Sequence, residues 1–127
     1  MKKLIVLLTS LIFISCFEPE KDCQNFRTGT FEFQSYLNGE MVTSRFVRTD
    51  SLEIDTFQGK TDTSSVRWIN DCEFVLKNLH PKNMQERQAI HMRIIKTDKD
   101  GYTFEYGKVG DPRKERGSVY RIKENDY

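Results

Sequence analysis

Three cysteines are the side chains of this sequence best suited to covalent chemistry, and they stand in two different settings. Cys16 ends an apolar run near the N-terminus, whereas Cys23 and Cys72 lie in polar sequence. Thiols can accept an acyl chain, form a disulfide or bind a metal ion. Metal binding is the weakest of these readings, because the only histidines, His80 and His91, do not stand at ligand spacing from a cysteine.

The first fifteen residues have the composition of an export signal. Lys2 and Lys3 form a positive head, and an apolar run over residues 4–14 follows, broken only by Thr9 and Ser10. A membrane-spanning helix needs about 20 apolar residues, so this run predicts a signal-peptide core and not a stable anchor.

The four residues that end this run, Phe13-Ile14-Ser15-Cys16, resemble the bacterial lipobox. That motif prefers leucine where this chain has Phe13. The resemblance implies a signal peptide over 1–15, acylation of Cys16 and a lipidated tether over 16–24. Several acyl chains would hold the protein on the outer membrane, facing the periplasm or the cell surface. The alternative is an ordinary secretory leader with a structural cysteine nearby.

If Cys16 carries lipid, Cys23 and Cys72 remain as an even pair in an oxidising compartment. Such a pair usually forms a disulfide. The bridge would close a loop of 50 residues, worth roughly 4 kcal/mol by the chain-entropy estimate. Two free cysteines or a metal site are the competing interpretations.

Composition and charge describe one small domain, which we place at residues 25–127. The 127-residue chain is 37% hydrophobic, 12% aromatic and 31% charged, enough for one modest core. Lys plus Arg number 20 against 19 for Asp plus Glu, so the charge does not indicate a nucleic-acid partner.

Short runs of alternating polarity follow one another at intervals of about ten residues, each bounded by turn residues. Eight such runs read as strands: 30–37, 43–49, 52–56, 64–69, 72–79, 90–94, 102–106 and 118–123. Asp100-Gly101 predicts a hairpin turn through its tolerance of positive φ. At most one short helical turn is expected, near 81–88. Short connections favour antiparallel neighbours, and eight strands suffice to close a barrel. We therefore predict an all-β, eight-stranded, antiparallel up-and-down barrel or curled meander.

Gly29-Thr30-Phe31 is similar to the Gly-x-Trp signature of the lipocalins, with phenylalanine in place of tryptophan. In that family an arginine of the last strand packs across the aromatic ring. The resemblance therefore implies that Phe31 and Arg121 form a barrel-closing pair and that the barrel is lipocalin-like. A cation over an aromatic face contributes about 0.5–2 kcal/mol.

The chain as a whole also resembles a group of short exported lipoproteins of Gram-negative bacteria, through residues 28–31 and 68–73. Some of those proteins bear the name DNA topoisomerase IV. A topoisomerase subunit is several times longer and needs a basic DNA groove and a nucleophilic tyrosine. The leader and the near-neutral charge of this chain contradict that name.

Other polar side chains fit structural roles better than catalytic ones. His91 stands beside Arg93 without a visible nucleophile, and residues 98–101 lack the spacing and terminal glutamate of a calcium loop. We interpret Glu53 and Asp55 as an exposed, solubilising strand face. No Gly-x-Ser-x-Gly and no glycine-rich phosphate loop occurs in the sequence, so we predict no enzyme, no cofactor and no metal site.

Two functions remain. The first is a ligand-binding module, whose barrel holds a small apolar molecule against four side chains: Phe33, Trp68, Met92 and Phe104. The second is a structural or interaction lipoprotein with a filled core, which grips another envelope protein through Arg45, Arg48, Arg67 or the loop 111–117. A continuous apolar cavity of roughly 300 Å³ or more would favour the first, and a solid interior with an exposed apolar patch the second.

Overall fold

Eight antiparallel strands make up the fold in this computed structural model, which describes residues 20–123. The strands are β1 (Gly29–Leu37), β2 (Glu40–Arg48), β3 (Leu52–Phe57), β4 (Lys60–Asn70), β5 (Glu73–Asn78), β6 (Ile90–Thr97), β7 (Gly101–Lys108) and β8 (Glu115–Arg121). A 3-10 turn, Gln24–Phe26, precedes β1 and is called the plug turn below. The predicted signal peptide and Cys16 lie outside the described residues.

Each strand pairs with the next one along the chain, and β8 returns to pair with β1, so the sheet is a closed barrel. The closing seam is short: it joins Phe31 to Arg121, Glu32 to Tyr120 and Phe33 to Val119. The prediction of an all-β, eight-stranded antiparallel barrel is confirmed. None of the helical structure within residues 20–123 has the length and apolar character that a membrane crossing requires.

The two ends of the barrel differ. At one end, here the plug end, the plug turn lies beside the last residue of β2, Arg48, and the last residue of β8, Arg121. A disulfide joins Cys23 to Cys72 at this end, as predicted, with the Cα atoms 5.2 Å apart. At the other end, the mouth, lie the turns at 38–39 and 58–59 and the longer loops 79–89 and 109–114.

The turns at the mouth explain two glycines. Asn38 and Gly39 both have positive φ, at 53° and 80°, and Gln58 and Gly59 repeat the pattern at 49° and 75°. Two successive residues with positive φ form the tight turn that matches the twist of a β-hairpin.

The turn before β7 forms where we expected it, but for a different reason. The Asp98 carboxylate accepts hydrogen bonds from the N–H groups of Asp100 and Gly101, both at 2.9 Å, so a side chain organises the turn. Gly101 does not have a positive φ. Instead, a Cβ atom there would collide with the Val119 carbonyl oxygen, so this glycine allows β7 and β8 to approach closely.

No helix forms within residues 81–88, which is compatible with the prediction of at most one short helical turn there; the segment is a loop with a turn at 84–87. Side chains satisfy its backbone: the Asn83 carbonyl oxygen accepts from the Glu86 N–H at 2.9 Å, and the Glu86 carboxylate accepts from the Lys82 N–H at 2.7 Å. A single turn also lacks the cooperative hydrogen bonds that sustain a longer helix.

The orientation that we inferred for β3 is wrong. Glu53 is buried and Asp55 half-buried, whereas Ile54 is 39% exposed. The reason is the register with β2, in which Arg48 faces Glu53 and Phe46 faces Asp55. Because directly opposed residues point to the same side of a sheet, the inward Phe46 and Arg48 bring the two acids inward with them.

Aromatic residues dominate the main core cluster. Its buried members are Cys23, Phe26, Phe31, Phe46, Ile94, Tyr102, Phe104 and Val119. Because the set includes both Cys23 and Phe26, the plug turn belongs to the core and closes the barrel at that end.

Replacing Cys23 and Cys72 together by serine is expected to lower the free energy of unfolding by about 2–5 kcal/mol, because the unfolded chain loses a long covalent loop. Urea denaturation of the full chain would measure the change. Dithiothreitol should destabilise the unaltered protein by a similar amount and leave the double variant unaffected. A loss below about 1 kcal/mol in both experiments would show that the disulfide does not hold the plug turn in place.

Candidate functional site

A buried arginine organises the plug end. Arg48 is 1% exposed and its guanidinium donates four hydrogen bonds: Nη1 to Glu53 Oε2 at 3.1 Å, Nη2 to the Phe26 carbonyl at 2.7 Å and to Tyr102 Oη at 3.0 Å, and Nε to the Arg27 carbonyl at 3.1 Å. The side chain therefore links β2 to β3, to β7 and to the chain around the plug turn. This is a correction, since we expected Arg48 on an outer face.

Aromatic rings surround the same guanidinium. Its central carbon lies 4.7–5.8 Å from the ring centroids of Phe74, Phe31, Phe46, Tyr102 and Trp68. Such contacts are attractive because the face of an aromatic ring is negative. A charged group placed here is tolerated because hydrogen bonds and ring faces together replace its water.

Burial raises the pKa of Glu53, and the facing charge of Arg48 opposes that shift. Burial likewise raises the pKa of Tyr102, so its phenol stays protonated beside the arginine. Arg48, Glu53 and Tyr102 together form a compact polar layer across the barrel, called the floor below.

A second arginine covers the outside of the plug end. The Arg121 guanidinium lies 5.1 Å from the Phe31 ring centroid and 5.2 Å from that of Phe26. It donates to the carbonyls of Thr28 and Asn25. Gly29, two residues before Phe31, has a φ of 140°, a backbone conformation that residues with a Cβ atom rarely adopt, and a Cβ atom there would also come within 2.6 Å of Arg121 Nη1.

Between this floor and the mouth the barrel encloses a cavity of about 230 Å³. Its walls are mainly aromatic and aliphatic, and its floor is polar. The lining residues are Phe33, Ser44, Phe46, Arg48, Glu53, Asp55, Leu76, Met92, Tyr102, Phe104, Tyr106 and Val119.

Asp55 lies where this cavity meets the mouth. Together with Phe33 and Ser44 it lines both the inner cavity and an outer hollow bounded by Gln58, Lys60 and Asp62, among others. Its Oδ1 atom is buried and has no hydrogen-bond partner within the described part of the chain. Burial, and secondarily the facing Asp62 carboxylate, raise the pKa of Asp55.

Three of the four side chains that we predicted to contact a ligand, Phe33, Met92 and Phe104, line this cavity. Trp68 does not. It lies towards the plug end. The centroid of its ring is 4.5 Å from that of Phe74, and the central carbon of the Arg27 guanidinium lies 4.8 Å from the same Trp68 centroid. Its Nε1 atom is buried without a hydrogen-bond partner among residues 20–123.

The polar residues of the interior were not predicted from the sequence. Period-two alternation from Phe46 places Arg48 on the same inward face, and this was the available signal for that residue. No comparable local signal identifies Glu53 and Asp55, because Leu52 and Ile54 form an equally good inward face.

The remaining predicted contacts lie outside the barrel. Arg45 is exposed and 3.5 Å from Glu32, and Arg67 is exposed. Residues 115–117 of the predicted loop 111–117 belong to β8. In the loop that remains, Arg113 forms an ion pair with Asp111 at 2.7 Å and lowers the pKa of that carboxyl to about 2. Among residues 20–123, no cluster of three His, Cys, Asp or Glu residues could hold a metal ion.

Replacing Arg48 by methionine is expected to lower the free energy of unfolding by about 3–5 kcal/mol, because Glu53 is left as an uncompensated buried charge. The matched control is Arg45→Met on the same strand, whose exposed ion pair should contribute about 1 kcal/mol or less. Urea denaturation would measure both variants. Equal losses would contradict the central role of Arg48, and the double variant R48M/E53M should be more stable than R48M alone.

Comparison with protein-family models, with curated proteins and with solved structures finds no significant match to this chain. The function is therefore inferred from the geometry of the barrel interior and from the chemistry of the residues that line it.

Proposed function

We propose that this protein is a lipoprotein of the cell envelope that binds a small molecule inside a lipocalin-like barrel. The observation that carries the proposal is the cavity of about 230 Å³ between the Arg48 floor and the mouth. A barrel built only as a scaffold has no need of such a space, because protein interiors are otherwise close-packed.

The size and polarity of the cavity define the kind of ligand. Its volume of about 230 Å³ falls short of the roughly 300 Å³ that we set as favouring a ligand-binding barrel and lies below the 300–1,000 Å³ typical of drug-sized sites. The proposal is therefore restricted to a small ligand. The floor carries Arg48 and Glu53, and Asp55 lies at the rim, so the ligand has a polar group as well as an apolar body. This differs from the purely apolar molecule that we expected from the aromatic content.

The topology relates the mouth to the proposed membrane anchor. Only six residues separate Cys16 from Cys23, and the disulfide holds Cys23 at the plug end. A lipid on Cys16 would therefore attach the protein to the membrane through its plug end. In this arrangement the mouth faces away from the bilayer and exchanges ligand with the aqueous phase.

The second candidate function is an interaction lipoprotein, and one surface feature favours it. Val47 and Ile54 are 44% and 39% exposed and lie opposite each other on β2 and β3. They form a small apolar patch on the outer wall. Larger patches of this kind mark protein–protein contact sites.

The lipid anchor is tested by replacing Cys16 with alanine in the full chain expressed in a Gram-negative host. We expect the protein to leave the membrane fraction, because the acyl chains supply most of the affinity for the bilayer. Cell fractionation and mass spectrometry of the N-terminus measure the outcome. Ser15→Ala, which keeps a small residue before the cysteine, is the control and should remain membrane-bound. Membrane retention of the Cys16 variant would contradict the anchor.

The cavity is tested by titration with 2-phenylethanol, a small molecule with an aromatic body and a neutral hydroxyl. With ¹³C-labelled methionine methyl groups, the Met92 signal should shift on binding because Met92 lines the cavity. The exposed Met41 and Met84 serve as internal references.

Ser44→Trp should fill the space and abolish that shift, whereas Thr43→Trp, on the outward face of the same strand, should leave it unchanged. Absence of a Met92 shift both with this probe and with phenethylammonium, a cation of the same size, would overturn the proposed binding function. Native mass spectrometry of the protein purified from its own envelope would then look for a bound natural ligand.

A further inference from the structure

We propose that the ligand is a small organic cation, whose ammonium group binds the Asp55 carboxylate while its body lies against the aromatic wall. The inference rests on the proposed binding function and specifies the chemical class of the ligand.

The charges that line the cavity leave one group without a partner. Of the three charged residues, Arg48 and Glu53 form an ion pair at 3.1 Å and neutralise each other. Asp55 remains, with the Oδ1 atom buried and without a hydrogen-bond partner in the described chain. A desolvated carboxylate oxygen without a donor is unfavourable, and a ligand that supplies an N–H donor with a positive charge would relieve this cost.

The walls next to Asp55 suit the same ligand. Phe46 lies directly opposite Asp55 in the sheet register. Phe33 lines both the cavity and the mouth, and its ring centroid is 5.8 Å from that of Phe104, which in turn is 5.5 Å from that of Tyr106. A carboxylate in a cavity lined by aromatic rings is a combination that suits an ammonium group, because both kinds of group can attract a cation.

The charges at the mouth are compatible with a cation. Asp62 lies opposite Asp55 on β4, and Lys60 lines the same outer hollow. Two carboxylates against one ammonium give the outer hollow a local excess of negative charge, which favours a small cation over an anion at this entrance. Arg48, the basic residue that lines the cavity, is paired with Glu53 and already donates four of its five N–H groups to Glu53, Tyr102 and two carbonyls, so it is poorly suited to hold an anionic ligand.

The ionisation of Asp55 gives the proposal a pH dependence. Burial and the neighbouring Asp62 raise the pKa of Asp55, and Glu53, Asp62, Lys60 and Arg48 are the charged groups around it. A bound cation stabilises the ionised carboxylate. Binding should therefore be strongest at neutral pH and weaken as the pH falls through the raised pKa of Asp55.

The test compares two probes of the same size, phenethylammonium and 2-phenylethanol, on the exported protein held in phosphatidylcholine nanodiscs. Met92 methyl shifts give both dissociation constants. We expect the cation to bind about tenfold more tightly or better at pH 7, which is the typical gain of a charge-assisted hydrogen bond. The advantage should shrink at pH 4, where the amine is still charged but the carboxyl is increasingly protonated.

Two isosteric variants distinguish direct binding of the ammonium group by Asp55 from a general electrostatic attraction of the cation to the acidic residues nearby. Asp55→Asn should bring the dissociation constants of the two probes to within about threefold of each other, mainly by weakening the binding of the cation. Asp62→Asn makes the same change of charge at the exposed neighbour. It should raise the dissociation constant of the cation by less than about threefold. Thermal unfolding of both variants shows whether they remain folded.

The outcomes are distinguishable. Equal affinity for the two probes, or a cation preference that survives in Asp55→Asn, would overturn the inference and leave the proposed binding function standing. Equal losses in the two variants would also overturn it, because the mouth as a whole would then attract the cation. If neither probe shifts the Met92 signal, the binding function fails and the inference fails with it.

Discussion

The fold depends on one buried cation. Arg48 brings its charge into the barrel, where the Glu53 carboxylate, the Tyr102 hydroxyl and the carbonyls of Phe26 and Arg27 satisfy it. These partners come from β3, from β7 and from the chain before β1. An unpaired charge in this position would cost several kcal/mol, so the register of β2 and β3 and the position of the plug turn are specified together.

The division of the interior follows from that constraint. Below Arg48, Phe26, the disulfide and the Arg121 guanidinium close the plug end. Above it, the cavity-lining residues of the described chain all belong to strands, and glycine at 117 leaves room for the rings of Phe33 and Phe104 beside its backbone. The cavity therefore lies on the mouth side, away from the point where the N-terminal tether joins the barrel. In the proposed lipoprotein this places the binding site and the anchor at opposite ends.

The strands and the closed sheet could be predicted because alternation and turn residues are local signals. The Asn38-Gly39 turn and the inward series Phe31 and Phe33 are examples, and the disulfide followed from the cysteine count. The interior polar groups could not be predicted in the same way. In β3, alternation is equally compatible with an apolar inward face or an acidic one, and the cross-strand partner Arg48 decides between them. Trp68 lies away from the cavity for a similar reason, since Phe74 and Arg27 already cover its ring.

The amino-acid sequence alone therefore determines eight strands, their order, and a pair of cysteines at a suitable separation, because each depends on residues close together in the chain or on simple counts. Only the tertiary structure decides which face of β3 turns inward, how Arg48 is neutralised and where Asp55 meets the cavity. The physical reason is that the free energy of a buried charge depends on partners that are distant in sequence and become neighbours only when the barrel closes.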